Sequence, residues 1–136
     1  MTVFKMSYQS ALHTLQWSTH IETEGEEGTI YWDGLDFEPS KDLKEKIEKD
    51  WKSFREKAEA LGFDDPEEHR ASYIDLNEWD YWDHVAHDFI LTRNGHGAGF
   101  WDGDWHEPMA SILTELAKSF GELEIYLSDN NELEAL

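Results

Sequence analysis

The stretch of residues 88–105, DFILTRNGHGAGFWDGDW, carries the strongest local signals for the fold of this chain. Phe89 and Leu91 alternate with polar or β-branched neighbours, and this period of two is typical of a half-buried strand. Asn94-Gly95 is a strong turn signal, because both residues tolerate a positive φ. The sequence therefore predicts a strand, a glycine-rich hairpin turn and a second short apolar segment, with the functional residues close to this hairpin.

The clearest helix of the chain precedes that stretch. Apolar residues recur at steps of three and four from Leu43 to Leu61, which predicts a helix over residues 40–61 with one buried face. Ser40 can cap its first turn, and Gly62 can take the left-handed position that follows a helix. Weaker patterns predict helices over 7–17, 76–87 and 108–120, a strand over 122–127 and a frayed acidic tail over 128–136. The acidic segment 22–28 is either the tip of a hairpin with a return strand over 29–32 or a plain exposed loop.

These elements predict the fold class α+β. We expect one acidic domain, 1–136, in which three to four helices pack on a small antiparallel sheet. That sheet would have about three strands and would include the glycine-rich hairpin.

The charge of the chain restricts its partners. The 136 residues include 31 acidic and 11 basic residues, for a formal net charge of −20. Residues 71–136 alone hold fourteen acidic residues against two basic ones. Such a field repels nucleic-acid phosphates and attracts basic surfaces. We therefore expect no direct nucleic-acid partner, but a protein with a basic nucleic-acid-binding surface.

Composition excludes other classes of site. The chain has no cysteine, so disulfides, thiolate zinc sites and cysteine nucleophiles are excluded. No apolar run reaches the ~20 residues of a membrane span, and no secretory signal is visible. We expect no membrane contact and a location in the cytoplasm.

The segment His87 to Asp102, HDFILTRNGHGAGFWD, resembles a motif found in a family of small uncharacterised proteins encoded by bacteriophages and related mobile elements. The following helix and the Ser128-Asp129-Asn130 turn also fit that pattern, so the resemblance covers about residues 87–130. It brings no established activity and no catalytic residues. It implies a phage-type accessory protein that acts in the cytoplasm of a bacterial host.

Imidazoles and carboxylates concentrate around this motif. Such ligands suit zinc, manganese or iron, so a metal-dependent hydrolase or nuclease is one alternative function. The metal candidates are His84 and His87 on the predicted helix and Asp88 directly after it, and the hairpin adds His96, Asp102, Asp104 and His106.

Structural roles compete with the metal site for the same residues. Asp80, Asp83 and His84 could form a solvated helix face, His87 could make a structural hydrogen bond, and Asp104 could cap the helix near Pro108. The chain has no zincin spacing and no nucleophile-plus-base motif. We therefore expect no cofactor and favour a protein without enzymatic activity.

Arg93 is one of only two basic residues among residues 71–136. A salt bridge or carbonyl clamp with Asp88, Asp102 or Asp104 would lock the hairpin. Contact with a partner is the alternative role, because arginine is enriched at interface hot spots.

The aromatic residues of this region exceed what a domain of this size easily buries. We expect Trp82 and Phe100 in the core. Those left exposed among Trp79, Trp101 and Trp105 would form an aromatic surface with an acidic rim.

Together these features predict an accessory protein that inhibits a bacterial nucleic-acid-handling or defence protein through a DNA-like acidic surface. A non-catalytic acidic oligomerisation module, such as a homodimer through the aromatic surface, is a further alternative. The candidate binding residues are Arg93, His96, Trp101, Asp102, Asp104, Trp105, Trp79, Asp80, Asp83, Glu22, Glu24, Glu26 and Glu27.

Overall fold

A computed structural model describes residues 3–70, 81–96, 98–102 and 104–136. Within these ranges, helices and short strands confirm the predicted α+β class. None of the described helices is long and apolar enough to cross a membrane. The elements are α1 (Val3–Ser18), β1 (His20–Gly25), β2 (Gly28–Asp33), β3 (Glu38–Pro39), α2 (Lys41–Ala60), α3 (Tyr81–Arg93), α4 (Met109–Lys118), β4 (Ile125–Leu127) and β5 (Glu132–Ala135).

Helix α2 follows the predicted boundaries closely. The backbone N–H of Leu43 donates to Ser40 Oγ at 3.0 Å, and Gly62 after the helix has φ +101°. The predicted stripe is buried as far as Ala58, whereas Leu61 is exposed. The apolar spacing therefore identified a helix that packs on the core through one face.

Helix α3 occupies the centre of the molecule. Residues 83–86 and 88–93 are all buried, and α1 and α4 pack against the helix. From α2, the ring of Phe54 lies 4.4 Å from that of Phe89. Because neighbours surround α3, even its polar side chains lie inside the protein.

The predicted strand and glycine-rich hairpin over residues 88–102 are wrong, because α3 continues through Arg93. Asn94-Gly95 ends the helix instead: the N–H of Gly95 donates to the Thr92 carbonyl and that of His96 to the Leu91 carbonyl. This pair of bonds, with Gly95 at φ +71°, is the Schellman arrangement of a helix C-terminus. A short apolar run buried on all sides lacks the one-sided period that separates helix from strand. The first half of the predicted 76–87 helix lies outside the described residues.

The segment 98–102 folds back over the end of α3. The N–H of Phe100 donates to Thr92 Oγ1 at 3.0 Å, and the Phe100 ring is completely buried, which confirms its predicted core position. Gly99 has φ +156°, and a Cβ at this residue would lie 2.3 Å from Thr92 Oγ1. Only glycine permits this approach.

The described strands form two small sheets. β1 and β2 form an antiparallel hairpin, which confirms the predicted return strand. The second sheet has the order β3-β5-β4, with β5 parallel to β3 and antiparallel to β4. The predicted strand over 122–127 is confined to β4.

The predicted fraying of residues 128–136 is wrong, since β5 lies in this tail. Leu133 is completely buried, and its carbonyl accepts a hydrogen bond from the N–H of Ser40 at 2.9 Å. A single leucine in an acidic segment is a weak signal, and its burial depends on the start of α2 being nearby.

Candidate functional site

A cluster of one histidine and two aspartates lies between α3 and the segment that leads to α4. His84 and Asp88 are one helical turn apart, so both side chains lie on one face of α3. His84 Nε2 lies 3.3 Å from Asp88 Oδ2 and 3.2 Å from Asp104 Oδ2. One potential metal-ligating atom from each of the three side chains lies within 4.8 Å of the other two. We call these three residues the His–Asp cluster.

Aromatic and imidazole groups hold the cluster in place. The indole N–H of Trp105 donates to Asp88 Oδ2 at 2.6 Å, and the Trp105 ring lies 4.9 Å from the His84 ring. His87 Nδ1 lies 3.0 Å from Asp88 Oδ1, which confirms the structural hydrogen bond predicted for this histidine. These two contacts therefore orient both carboxylate oxygens of Asp88.

Negative charge is concentrated at the exposed side of the cluster. Burial raises the pKa of the Asp104 carboxyl above its ordinary value, and the carboxylates of Asp102 and Asp88 raise it further, while His84 opposes the shift. Asp104 is not a cap of α4, because the N-cap position is Pro108 and the Glu107 carboxylate accepts the hydrogen bond from the first-turn N–H of Ser111 at 2.8 Å. Asp104 contributes charge to the cluster rather than helix stability.

Arg93 lies elsewhere, as a clamp between α3, α2 and the end of α4. Its guanidinium donates to Asp50 Oδ2 at 2.9 Å and to the carbonyls of Phe120 and Gly121 at 2.9 and 2.8 Å. The predicted salt bridge and carbonyl clamp both exist, but the partners are not Asp88, Asp102 or Asp104. Burial lowers the pKa of Arg93, and the hydrogen bond and charge of Asp50 oppose the shift.

Other predicted site residues are dispersed. Asp83 is buried and accepts a hydrogen bond from Ser10 Oγ at 2.8 Å, and His84 is also buried, so the predicted solvated face is wrong for both. His96 lines a separate pocket with His20 and Glu122. Asp102 is exposed beside Asp104, while Trp79 and Asp80 lie outside the described residues.

The exposed aromatic surface predicted around the central segment is reduced to one described residue. Trp101 is 54 % exposed, but Trp105 is buried and Trp82 is half-buried against the core. The cation of Arg55 covers the Trp82 ring at 3.9 Å. Trp105 thus supports the His–Asp cluster and cannot anchor a partner.

The β1–β2 hairpin carries the exposed aromatic surface that sequence reasoning missed. Tyr31 is 70 % exposed and lies directly across from Glu22 in the strand register. The next pair on the same face is Glu24 and Thr29, whose hydroxyl donates to the carboxylate. Glu26 and Glu27 are exposed at the turn. We call the face formed by Glu22, Glu24, Tyr31 and the two turn glutamates the acidic hairpin face.

The opposite side of the hairpin is apolar and partly open. Ile21 pairs with Trp32, whose indole N–H donates to Thr23 Oγ1 at 3.0 Å, and Ile30 is 45 % exposed. The β-branched and aromatic residues of β2 indicate a strand but do not by themselves indicate which side chains are exposed. The signal that could have found this surface is the alternation of glutamates in β1.

The outer edge of β1 lies along a groove. Residues 20–23 of β1 and residues 125–127 of β4 line a space of about 380 Å³. Among the described strands, β1 pairs only with β2, and the groove lies between β1 and β4. Unpaired strand edges are sites where another chain can add.

Searches against protein-family models, curated proteins and solved structures found no match to this chain.

Proposed function

We propose that the protein is a non-catalytic accessory protein that binds and inhibits a bacterial nucleic-acid-handling or defence protein, with the acidic hairpin face as its docking element. The observation that carries this proposal is the exposure of Tyr31 beside Glu22 and Glu24 on a two-stranded hairpin. The resemblance of residues 87–102 to phage-encoded proteins supports a bacterial target.

Charge supports a basic partner surface. The net charge of −20 gives the whole molecule a field that accelerates encounter with a cationic cleft, and four exposed glutamates concentrate this field on the hairpin. A nucleic-acid-binding cleft is cationic because it must neutralise phosphates. The acidic hairpin face would occupy that cleft and exclude the nucleic acid.

Tyr31 is the side chain of the acidic hairpin face that could supply binding affinity in addition to charge attraction. Exposed carboxylates at an interface rim contribute mainly to association rate and selectivity, whereas buried aromatic anchors contribute most of the affinity. Tyr31 is a large and amphipathic side chain that a partner pocket could bury. The open edge of β1 offers backbone hydrogen bonds beside it.

The test compares two variants that have the same net charge. The first replaces Glu22, Glu24, Glu26 and Glu27 by glutamine. The control replaces four exposed glutamates elsewhere, Glu56, Glu67, Glu68 and Glu115. Each set removes four negative charges and changes the net charge from −20 to −16. Tagged wild type and variants are incubated with bacterial lysate, and retained proteins are eluted with double-stranded DNA and identified by mass spectrometry.

We expect wild type and the control variant to retain the same DNA-binding protein and the hairpin variant to lose it. Retention should fall as salt rises from about 50 to 200 mM, because the attraction is screened. The purified target should then lose DNA binding in a mobility-shift assay when wild-type protein is added. Equal loss in both variants, or a target that binds DNA normally in the presence of the protein, would refute the proposal.

A further inference from the structure

The His–Asp cluster has the chemistry and the spacing of a metal centre. Two ligands that bind one transition-metal ion at about 2.1 Å lie roughly 3.0–3.4 Å apart when they are adjacent in a tetrahedral or octahedral shell. His84 Nε2 lies 3.3 Å from the oxygen of Asp88 and 3.2 Å from that of Asp104. An ion could therefore enter with small side-chain movements.

The surroundings resemble the outer shell of a metal site. Ligating carboxylates in proteins are oriented by further hydrogen bonds. Asp88 has this support from the Trp105 indole N–H and from His87 Nδ1. Asp88 is 1 % exposed and His84 is 6 % exposed, so two of the three ligands are rigid and desolvated.

The cluster places two carboxylates against the single imidazole nitrogen of His84. His84 Nε2 carries at most one proton, and this proton faces the carboxylates of both Asp88 and Asp104. Asp102 adds a third carboxylate next to Asp104. A divalent ion would replace a shared hydrogen bond with three direct bonds and would offset the repulsion between the aspartates.

The site also has an entrance. The Asp104 side chain is 26 % exposed, and the neighbouring Asp102 is exposed. These groups form a negative opening through which a cation can reach the buried His84 and Asp88.

We propose that His84, Asp88 and Asp104 bind one divalent first-row transition-metal ion of the Mn²⁺ or Zn²⁺ type. One imidazole and two carboxylates suit these ions better than Mg²⁺ or Ca²⁺, which prefer oxygen ligands alone. Three protein ligands leave further coordination positions for water, as in sites where a metal does chemistry. The proposal is independent of the hairpin and of any partner.

The test is an electron paramagnetic resonance titration of the untagged, metal-stripped full chain with Mn²⁺, whose six-line aqueous signal falls when the ion is bound. We expect saturation at one ion per chain and displacement by Zn²⁺. Asp104→Asn should weaken binding at least about tenfold, because it removes a charged ligand while the partly exposed position tolerates the amide. The control variant Asp129→Asn removes one exposed charge outside the His–Asp cluster and should bind Mn²⁺ as wild type does.

A second readout locates the ion. Because Trp105 donates to Asp88, Mn²⁺ at this position should quench the fluorescence of that indole, and Trp105→Phe should remove the quenched component. An undiminished aqueous Mn²⁺ signal, or Asp104→Asn binding with wild-type affinity, would overturn the proposal. Several weak ions per chain that both variants bind equally would identify surface carboxylates as the only ligands and would also overturn it.

Discussion

Helix α3 and the β1–β2 hairpin both combine aromatic with charged side chains, but these side chains are buried in α3 and exposed in the hairpin. In α3, Phe89 is completely buried, and Asp88 and Arg93 lie inside the protein with directed partners. In the hairpin, Tyr31 is 70 % exposed and the glutamates face solvent. The same residue types thus stabilise the fold in one region and remain available for contacts in the other, which predicts that substitutions in the two regions separate stability from binding.

The largest loss of stability should come from Phe54→Ala. The Phe54 ring lies within 6.1 Å of the ring centres of Trp51, Phe89, Phe100 and Phe120. Removing it leaves a cavity at the centre of the core, with an expected cost of about 3–5 kcal/mol in the free energy of unfolding. Urea denaturation followed by tryptophan fluorescence measures this cost. A loss below about 1 kcal/mol would show that the core around α3 is not packed as described.

Arg93→Met should cost about 3 kcal/mol, because it leaves Asp50 without its guanidinium and two carbonyls, those of Phe120 and Gly121, without donors. Arg93 is 3 % exposed, so water cannot easily replace it. The double variant Arg93→Met/Asp50→Asn should recover part of the loss, since the charge of the half-buried Asp50 is removed as well. Denaturation of the two variants side by side checks this order, and an equal or larger loss in the double variant would contradict the clamp.

Gly99→Ala should cost about 1–2 kcal/mol, while Gly28→Ala in the hairpin turn should cost less. Both glycines have a positive φ, +156° and +128°, but a Cβ at Gly99 meets Thr92 Oγ1 at 2.3 Å whereas a Cβ at Gly28 meets nothing within 4 Å. Thermal unfolding measures both losses of stability. Gly28→Ala reports the cost of a positive φ alone, whereas Gly99→Ala also includes the steric clash with Thr92. Because Thr92 Oγ1 also accepts the Phe100 N–H, the comparison is a double-mutant cycle: Gly99→Ala should cost less in a Thr92→Ala background than in wild type, and an equal cost in both would rule out this close contact as the cause.

A comparison of α2 with α3 also shows how much of the fold could be predicted from the sequence. The period of α2 was readable because one face is buried and the other carries Lys and Glu, so the pattern reports the environment. In α3 the environment is nearly uniform, and the run Phe89 to Thr92 reads equally well as a strand. The Asn94-Gly95 pair was correctly recognised as a turn, but a helix end and a hairpin both use a positive φ.

The candidate site could be predicted only in part for a related reason. His84 and Asp88 lie four residues apart on one helix, so their proximity follows from local geometry. Asp104 joins them, whereas His96 does not, because residues 98–102 fold back over the end of α3 rather than forming a hairpin strand. Burial of Trp105 likewise depends on tertiary packing, and single-sequence patterns do not encode it.

The smallest expected effect on stability is that of Tyr31→Ala, and it is the most informative about the two regions. Tyr31 is exposed on the hairpin, and β1 and β2 form a separate two-stranded sheet. Removing this side chain should therefore change the free energy of unfolding by less than about 0.5 kcal/mol. The same change should weaken retention of the lysate target at least about tenfold if this side chain is a binding anchor. Denaturation and the pull-down measured on one preparation test both statements, and Leu61→Ala, at an exposed large side chain outside the hairpin and the groove, is the control. A large loss of stability would make Tyr31 part of the fold, whereas intact stability with intact retention would leave α3 and the hairpin different in exposure but not in function.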